Sequence, residues 1–150
     1  MNKLLLFFIL PLLLFAGVAY PDEDPDFISR YEQRIEALAQ ENNRLLASGS
    51  IDSVGKMIKN AEDVLAVSVE VKNKCEVASI KDDYFAPCND YARIFGETSA
   101  RMKLDIARYC IYYGLIDTAK KLYRNIITTY ASDSFASFIE QARFGLEELK

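Results

Sequence analysis

The chain has 150 residues, a formal net charge of −4 and no histidine. An acidic balance argues against binding nucleic acid or anionic lipid, because both select a basic surface. The missing imidazole removes the commonest general base and the commonest transition-metal ligand together, so a Cys–His nucleophile is excluded.

The N-terminus reads "MNKLLLFFILPLLLFAGVAYPDEDPD". Lys3 gives a short positive start, and Leu4 to Phe15 is apolar apart from Pro11. Gly17-Val18-Ala19 supplies small residues at the two positions a signal peptidase reads. This layout predicts a secretory signal peptide over 1–19, cleaved after Ala19. The run falls short of the ~20 residues that cross a bilayer comfortably, and an uncleaved N-terminal anchor is the alternative. An exported protein is therefore expected, and residues 20–150 amount to one domain.

Residues 20–26 are acidic and proline-rich, which predicts a short extended linker. Asp24 or Asp26 is placed to cap a helix beside Pro25. Over 27–47, Ile28, Tyr31, Ile35, Leu38, Asn42 and Leu45 recur at alternating steps of three and four. That spacing is a heptad seam with Asn42 at an a position, where a polar residue fixes register and oligomer state. Two uses are open. The seam could join copies as a homo-oligomer through residues 28–46, or it could pack on its own domain.

"ASGS" at 47–50 breaks this helix, and Ser50 or Ser53 can cap the next. Val54, Met57, Ile58, Ala61, Val64 and Leu65 then repeat at helical spacing, continuing through "VLAVSVEVK". Lys72 to Pro87 is charged and reads as an irregular connection. A short helix over Asn89 to Phe95 is expected to end at Gly96. The next helix starts near Thr98 or Ser99, carries Met102, Ile106, Tyr109, Cys110 and Tyr113 inward, and stops at Gly114. Ala119, Leu122, Tyr123, Ile126, Ile127 and Tyr130 mark a further helix. "ASDS" at 131–134 ends it and caps a last helix with Phe135, Phe138, Ile139, Ala142, Leu146 and Leu149. The fold class predicted is all-α, built of helical hairpins over 27–150.

Three cysteines permit one internal bridge and leave one thiol over. Cys75 and Cys88 bracket "EVASIKDDYFAP", and joining them closes a short loop worth about 3 kcal/mol if unstrained. Cys110 lies in a helical pattern and reads as a small core residue, with a bridge to it as the alternative. With three thiols, no His and no paired CxxC, no metal site and no cofactor are expected.

Residues 100–133, with Ile106, Ala107, Gly114, Ala119, Tyr123 and the closing "TYASDS", resemble a tetratricopeptide repeat unit, whose period is about 34 residues. Ala107 and Ala119 stand where that family wants small residues for close helix contact, Gly114 at its turn, and Tyr123 at its large aromatic position. "IITTYASDSFASFIEQARFGLEEL" is similar to the exported bacterial branch. Lys103, Cys110, Ile126 and Ala131 depart from the pattern. With a signal peptide and a coil-like helix in front, the architecture also resembles, more distantly, Tol-associated periplasmic proteins of Gram-negative envelopes. The resemblance implies that the first helix of the unit faces a protein partner through Arg101, Leu104, Arg108, Ile111 and Tyr112.

Three functions follow as expectations. The first is a non-enzymatic exported adaptor that binds another envelope or secretion-system protein. The alternative is a small secreted inhibitor or immunity-type protein acting through the Cys75–Cys88 loop, with Asp82, Asp83, Tyr84 and Phe85 as its contacts. An enzyme is disfavoured, because carboxylates such as Glu140, Glu147 and Glu148 sit at the spacing of a solvated helix face.

Overall fold

A computed structural model describes residues 27–79 and 86–150. The predicted signal peptide, the linker and the loop residues Asp82, Asp83, Tyr84 and Phe85 lie outside the described residues. Five α-helices and no strand occur among the described residues. They are α1 (Phe27–Ser48), α2 (Val54–Ser79), α3 (Ala86–Tyr112), α4 (Ile116–Thr129) and α5 (Ala136–Glu148), with 3-10 turns at Ile51–Ser53 and Asp133–Phe135. No helix among the described residues is long and apolar enough to cross a membrane.

The antiparallel pair α2–α3 forms the centre. On α2 the stripe Met57, Ala61, Val64, Val67, Val71 and Cys75 is buried, and on α3 Ala92, Phe95, Met102, Leu104 and Ile106 are. Two hydroxyls fix the register. Ser68 Oγ donates to the Ala92 carbonyl at 2.6 Å, and Ser99 Oγ to the Ala61 carbonyl at 2.5 Å.

Two expectations are corrected here. The connection between α2 and α3 is shorter than the charged stretch Lys72 to Pro87 suggests, because α2 runs on to Ser79 and α3 starts at Ala86. The charges there lie on the outer face as Lys72–Glu76 and Lys74–Glu70 pairs one turn apart, while Val71 and Cys75 continue the buried stripe. Gly96 does not end a helix either. It sits inside α3, where a Cβ would lie 2.9 Å from Phe135 Cζ and 3.3 Å from Ser68 Oγ. Glycine is used for close approach at this position. Thr98 correspondingly caps nothing, and its hydroxyl bonds back to the Ile94 carbonyl at 2.9 Å.

Gly114 is the helix stop that its sequence position predicts. Its φ is 77°, its N–H donates to Ile111 O at 3.0 Å, and Leu115 N–H donates to Cys110 O at 2.7 Å. This pair of bonds is a Schellman closure, which satisfies the last carbonyls of α3 and turns the chain into α4. A Cβ at Gly114 meets nothing within 4 Å. Gly114→Ala is therefore expected to cost only the left-handed backbone strain, about 1 kcal/mol, with Gly114→Asn costing less. Urea unfolding followed by circular dichroism checks both.

Ala107 and Ala119 are fully buried, as are Cys110 and Ile126. Tyr123 lies against α5, where Gly145 leaves room for its ring. The Tyr130 and Phe135 rings meet at 5.2 Å. At the other end, α1 packs on α2 and α3 of its own chain. Ile35 is its buried apolar anchor, with Ile28, Tyr31, Leu38 and Leu45 partly covered. The heptad seam of 27–47 thus faces the chain's own core, and Asn42 is inside it.

Candidate functional site

The five residues expected to face a partner all fall in α3, but they do not share one surface. Leu104 is 3% exposed and belongs to the core, so it is withdrawn from the expected binding face. It lies on the buried stripe with Ala100 and Ala107, toward the neighbouring helices. Ile111 is half-buried. Arg101, Arg108 and Tyr112 are exposed. These three, with the half-buried Asp105, recur at helical spacing along one edge of α3.

The edge is ordered by polar contacts. Arg108 Nη1 lies 3.2 Å from Asp105 Oδ1, and Nη2 donates to Gln141 Oε1 on α5 at 3.0 Å. Gln141 in turn donates from Nε2 to Ser137 Oγ at 3.3 Å. Arg108 therefore ties α3 to the last helix while keeping its guanidinium in solvent. Sequence reasoning missed Asp105 and Gln141. The first was findable, four residues after Arg101 and three before Arg108, whereas Gln141 becomes a partner only through the fold.

Tyr112 is 83% exposed, the most open large hydrophobic side chain among the described residues. Its ring stands edge-on to Tyr113 at 5.0 Å, and Tyr113 meets Tyr109 at 4.5 Å. An aromatic ladder thus climbs from the interior to the tip of α3. Burial first, then the neighbouring Tyr113, pushes the Tyr109 hydroxyl above its ordinary range.

A second cluster of polar groups lies inside the protein. Lys103 is 2% exposed, and its Nζ donates to Asn125 Oδ1 at 2.6 Å and sits 5.3 Å from the Tyr130 ring centre. Burial pushes the Lys103 ammonium down from its ordinary range, while Glu62 acts in the opposite sense. The Tyr130 and Ser99 hydroxyls are 2.7 Å apart. Ser99 has one proton and gives it to the Ala61 carbonyl, so Tyr130 is the donor to Ser99. Lys103 occupies the position where the repeat-like pattern expects an apolar residue. Its stem fills that space and its head finds an amide and an aromatic face. The cluster cross-ties α2, α3 and α4 rather than opening to a substrate.

Cys110 is a free, buried thiol whose pKa is raised by burial, which suppresses the reactive thiolate. Among the described residues no group of three His, Cys, Asp or Glu side chains is placed to hold a metal ion. Comparison with protein-family models, with characterised proteins and with solved structures finds no match for this chain.

Proposed function

We propose that the protein is an exported, non-enzymatic adaptor of a Gram-negative envelope, and that it binds another protein through the Arg101–Arg108–Tyr112 edge of α3. One observation carries this reading. Tyr112 is held almost wholly in solvent at the end of a long helix, beside an arginine whose geometry is fixed from two sides. Tyrosine and arginine in a preordered setting are the residues from which protein-binding hot spots are built. The signal-peptide pattern of 1–19 supports export to the periplasm. The hairpin α3–α4 with its buried Ala107, Ala119 and Tyr123 supports the tetratricopeptide-like reading of 97–150.

Export also favours the bridge between Cys75 and Cys88. Cys110 is a free, buried thiol, which is compatible with a pairing between the other two cysteines. That bridge would staple the end of α2 to the start of α3.

The test uses the full chain expressed with its own N-terminus and recovered from the periplasm. Proteins captured from an envelope extract are compared for wild type, Tyr112→Ala and Arg101→Glu. Both substituted side chains are exposed, so neither disturbs the core. A partner that is lost with each variant, and that rebinds wild type when purified, supports the adaptor. Undiminished capture by both variants rejects this edge as the binding surface.

A further inference from the structure

Asn42 is 1% exposed, and neither Nδ2 nor Oδ1 meets a hydrogen-bonding partner among the described residues. Asn60, also buried, has an unpartnered Nδ2. An ion pair between Glu41 and Lys56, at 2.6 Å, marks where α1 crosses α2. By helical position, Asn42 next to Glu41 and Asn60 one turn beyond Lys56 then lie near this crossing. Interiors pair their buried amides almost without exception, so a seam holding the unmet Asn42 and a half-met Asn60 is a weak joint.

The rest of the α1 joint is thin as well. Ile35 is the one apolar residue of α1 in the buried core among the described residues, whereas α2 fully buries Met57, Ala61, Val64 and Val71. The polar ties of α1 lie at the surface. Tyr31 Oη bonds Glu70 and accepts from Lys74 Nζ at 2.8 Å, and Glu41 bonds Lys56. Such exposed contacts are screened by salt. The connection to α2 is a short hinge in which Gly49 has φ 68°, followed by a single 3-10 turn.

We propose that α1 is an exchangeable strap, which lifts from α2 and α3 as a unit and docks in the same seam of a second copy of this chain. Exchange remakes every contact that opening breaks, so closed monomer and exchanged dimer differ only at the hinge and in association entropy. The unmet amide of Asn42 acts on the rate, because it lowers the barrier to lifting α1 without distinguishing the two closed forms. This inference is independent of the Arg101–Tyr112 edge, and neither stands or falls with the other.

The experiment mixes equal amounts of full-length chain carrying natural and heavy nitrogen, incubates them concentrated, and couples Glu41 to Lys56 with a zero-length carbodiimide. Monomer and dimer are separated, and the coupled peptide is read by mass spectrometry. In the dimer, about half of the Glu41–Lys56 peptides are expected to be of mixed isotope, the random-pairing value for reciprocal exchange. In the monomer none is. Asn42→Leu is expected to slow the appearance of mixed peptide about tenfold while leaving the final dimer fraction unchanged. Gly49→Ala strains the hinge, where a Cβ would also sit 2.9 Å from the Tyr113 hydroxyl. It is expected to raise the dimer-to-monomer ratio about tenfold. A dimer holding only unmixed peptides would mean association through another surface and overturns the proposal. Absence of both dimer and mixed peptide overturns it too.

Discussion

Gly145→Val is expected to destabilise the protein by about 2–3 kcal/mol, a large loss for a substitution on a helix of only three and a half turns. The reason is the seating of α5 on α4. A Cβ at Gly145 would lie 2.4 Å from Tyr123 Cζ, 2.5 Å from Cε2 and 2.8 Å from the hydroxyl oxygen. No carbon pair tolerates that approach, so either the ring or the helix must move. Tyr123 is buried between the two helices, and Ala142, one turn before Gly145, is fully buried too. Neither side has room to yield. Gly145→Ala meets the same clash but regains about 1 kcal/mol of helix propensity, so it is expected to cost less than valine. A double-mutant cycle in urea checks the cause. In a Tyr123→Leu background the cost of Gly145→Val is expected to fall by more than half, because the ring is gone. An equal cost in both backgrounds would show that α5 does not rest on Tyr123.

The same pair shows what sequence can and cannot convey. Tyr123 was legible as an inward aromatic, since Ala119, Leu122, Tyr123 and Ile126 share one helical face. Gly145 carried no signal, because a glycine in a solvated helix looks like a mere loss of propensity until the ring facing it is known. Gly96 reads as a terminator in the sequence for a related reason. A glycine ends a helix or admits a neighbour, and Phe135, the neighbour here, is 39 positions away in the chain. Gly114 is legible as a helix stop because everything its turn needs lies within five residues. Local patterns therefore delivered the helices, the stop at Gly114 and the inward stripes. Pairings between distant helices had to come from the fold.

The candidate edge divides along the same line. Arg101, Arg108 and Tyr112, which the repeat resemblance implies, lie on the outward side of an amphipathic helix. Leu104 comes from the same resemblance, but its apolar side chain belongs with Ala100 and Ala107. Lys103, a departure from the repeat pattern, is the opposite case, a charged residue that is buried. A lysine inside a helical hairpin reads as surface, and only Asn125 and the Tyr130 ring, both from α4 and its end, make its burial tolerable.

Stability is expected to fall steeply as pH rises above about 9–10, and Tyr130 is expected to supply the largest share. Its pKa is pushed up to about 12 from an ordinary 10.0, by burial first, with the Ser99 hydrogen bond opposing. The direction follows from proton counting. Between those two values the unfolded chain has released the phenolic proton and the folded chain still holds it. Stability drops with pH wherever the unfolded state binds fewer protons. A shift of about two pH units corresponds to about 3 kcal/mol, present below pH 10 and lost as the pH approaches 12. The geometry explains why ionisation is resisted. A Tyr130 phenolate would need a donor, and Ser99 could serve only by abandoning the Ala61 carbonyl. Tyr123 and Cys110 are also raised by burial and add to the fall, with the Cys110 contribution starting from its ordinary 9.0. Lys103 works the other way, since burial lowers it and the unfolded chain then binds more protons up to 10.5. Tyr130→Phe is expected to lose about 1 kcal/mol at neutral pH, for one hydrogen bond, and to flatten the alkaline limb. Lys103→Met removes the opposing proton uptake and should steepen the fall. Urea midpoints measured from pH 7 to pH 11 decide the matter. Parallel curves for wild type and Tyr130→Phe above pH 10 would show that the phenol of Tyr130 ionises in the folded protein as easily as in the unfolded one.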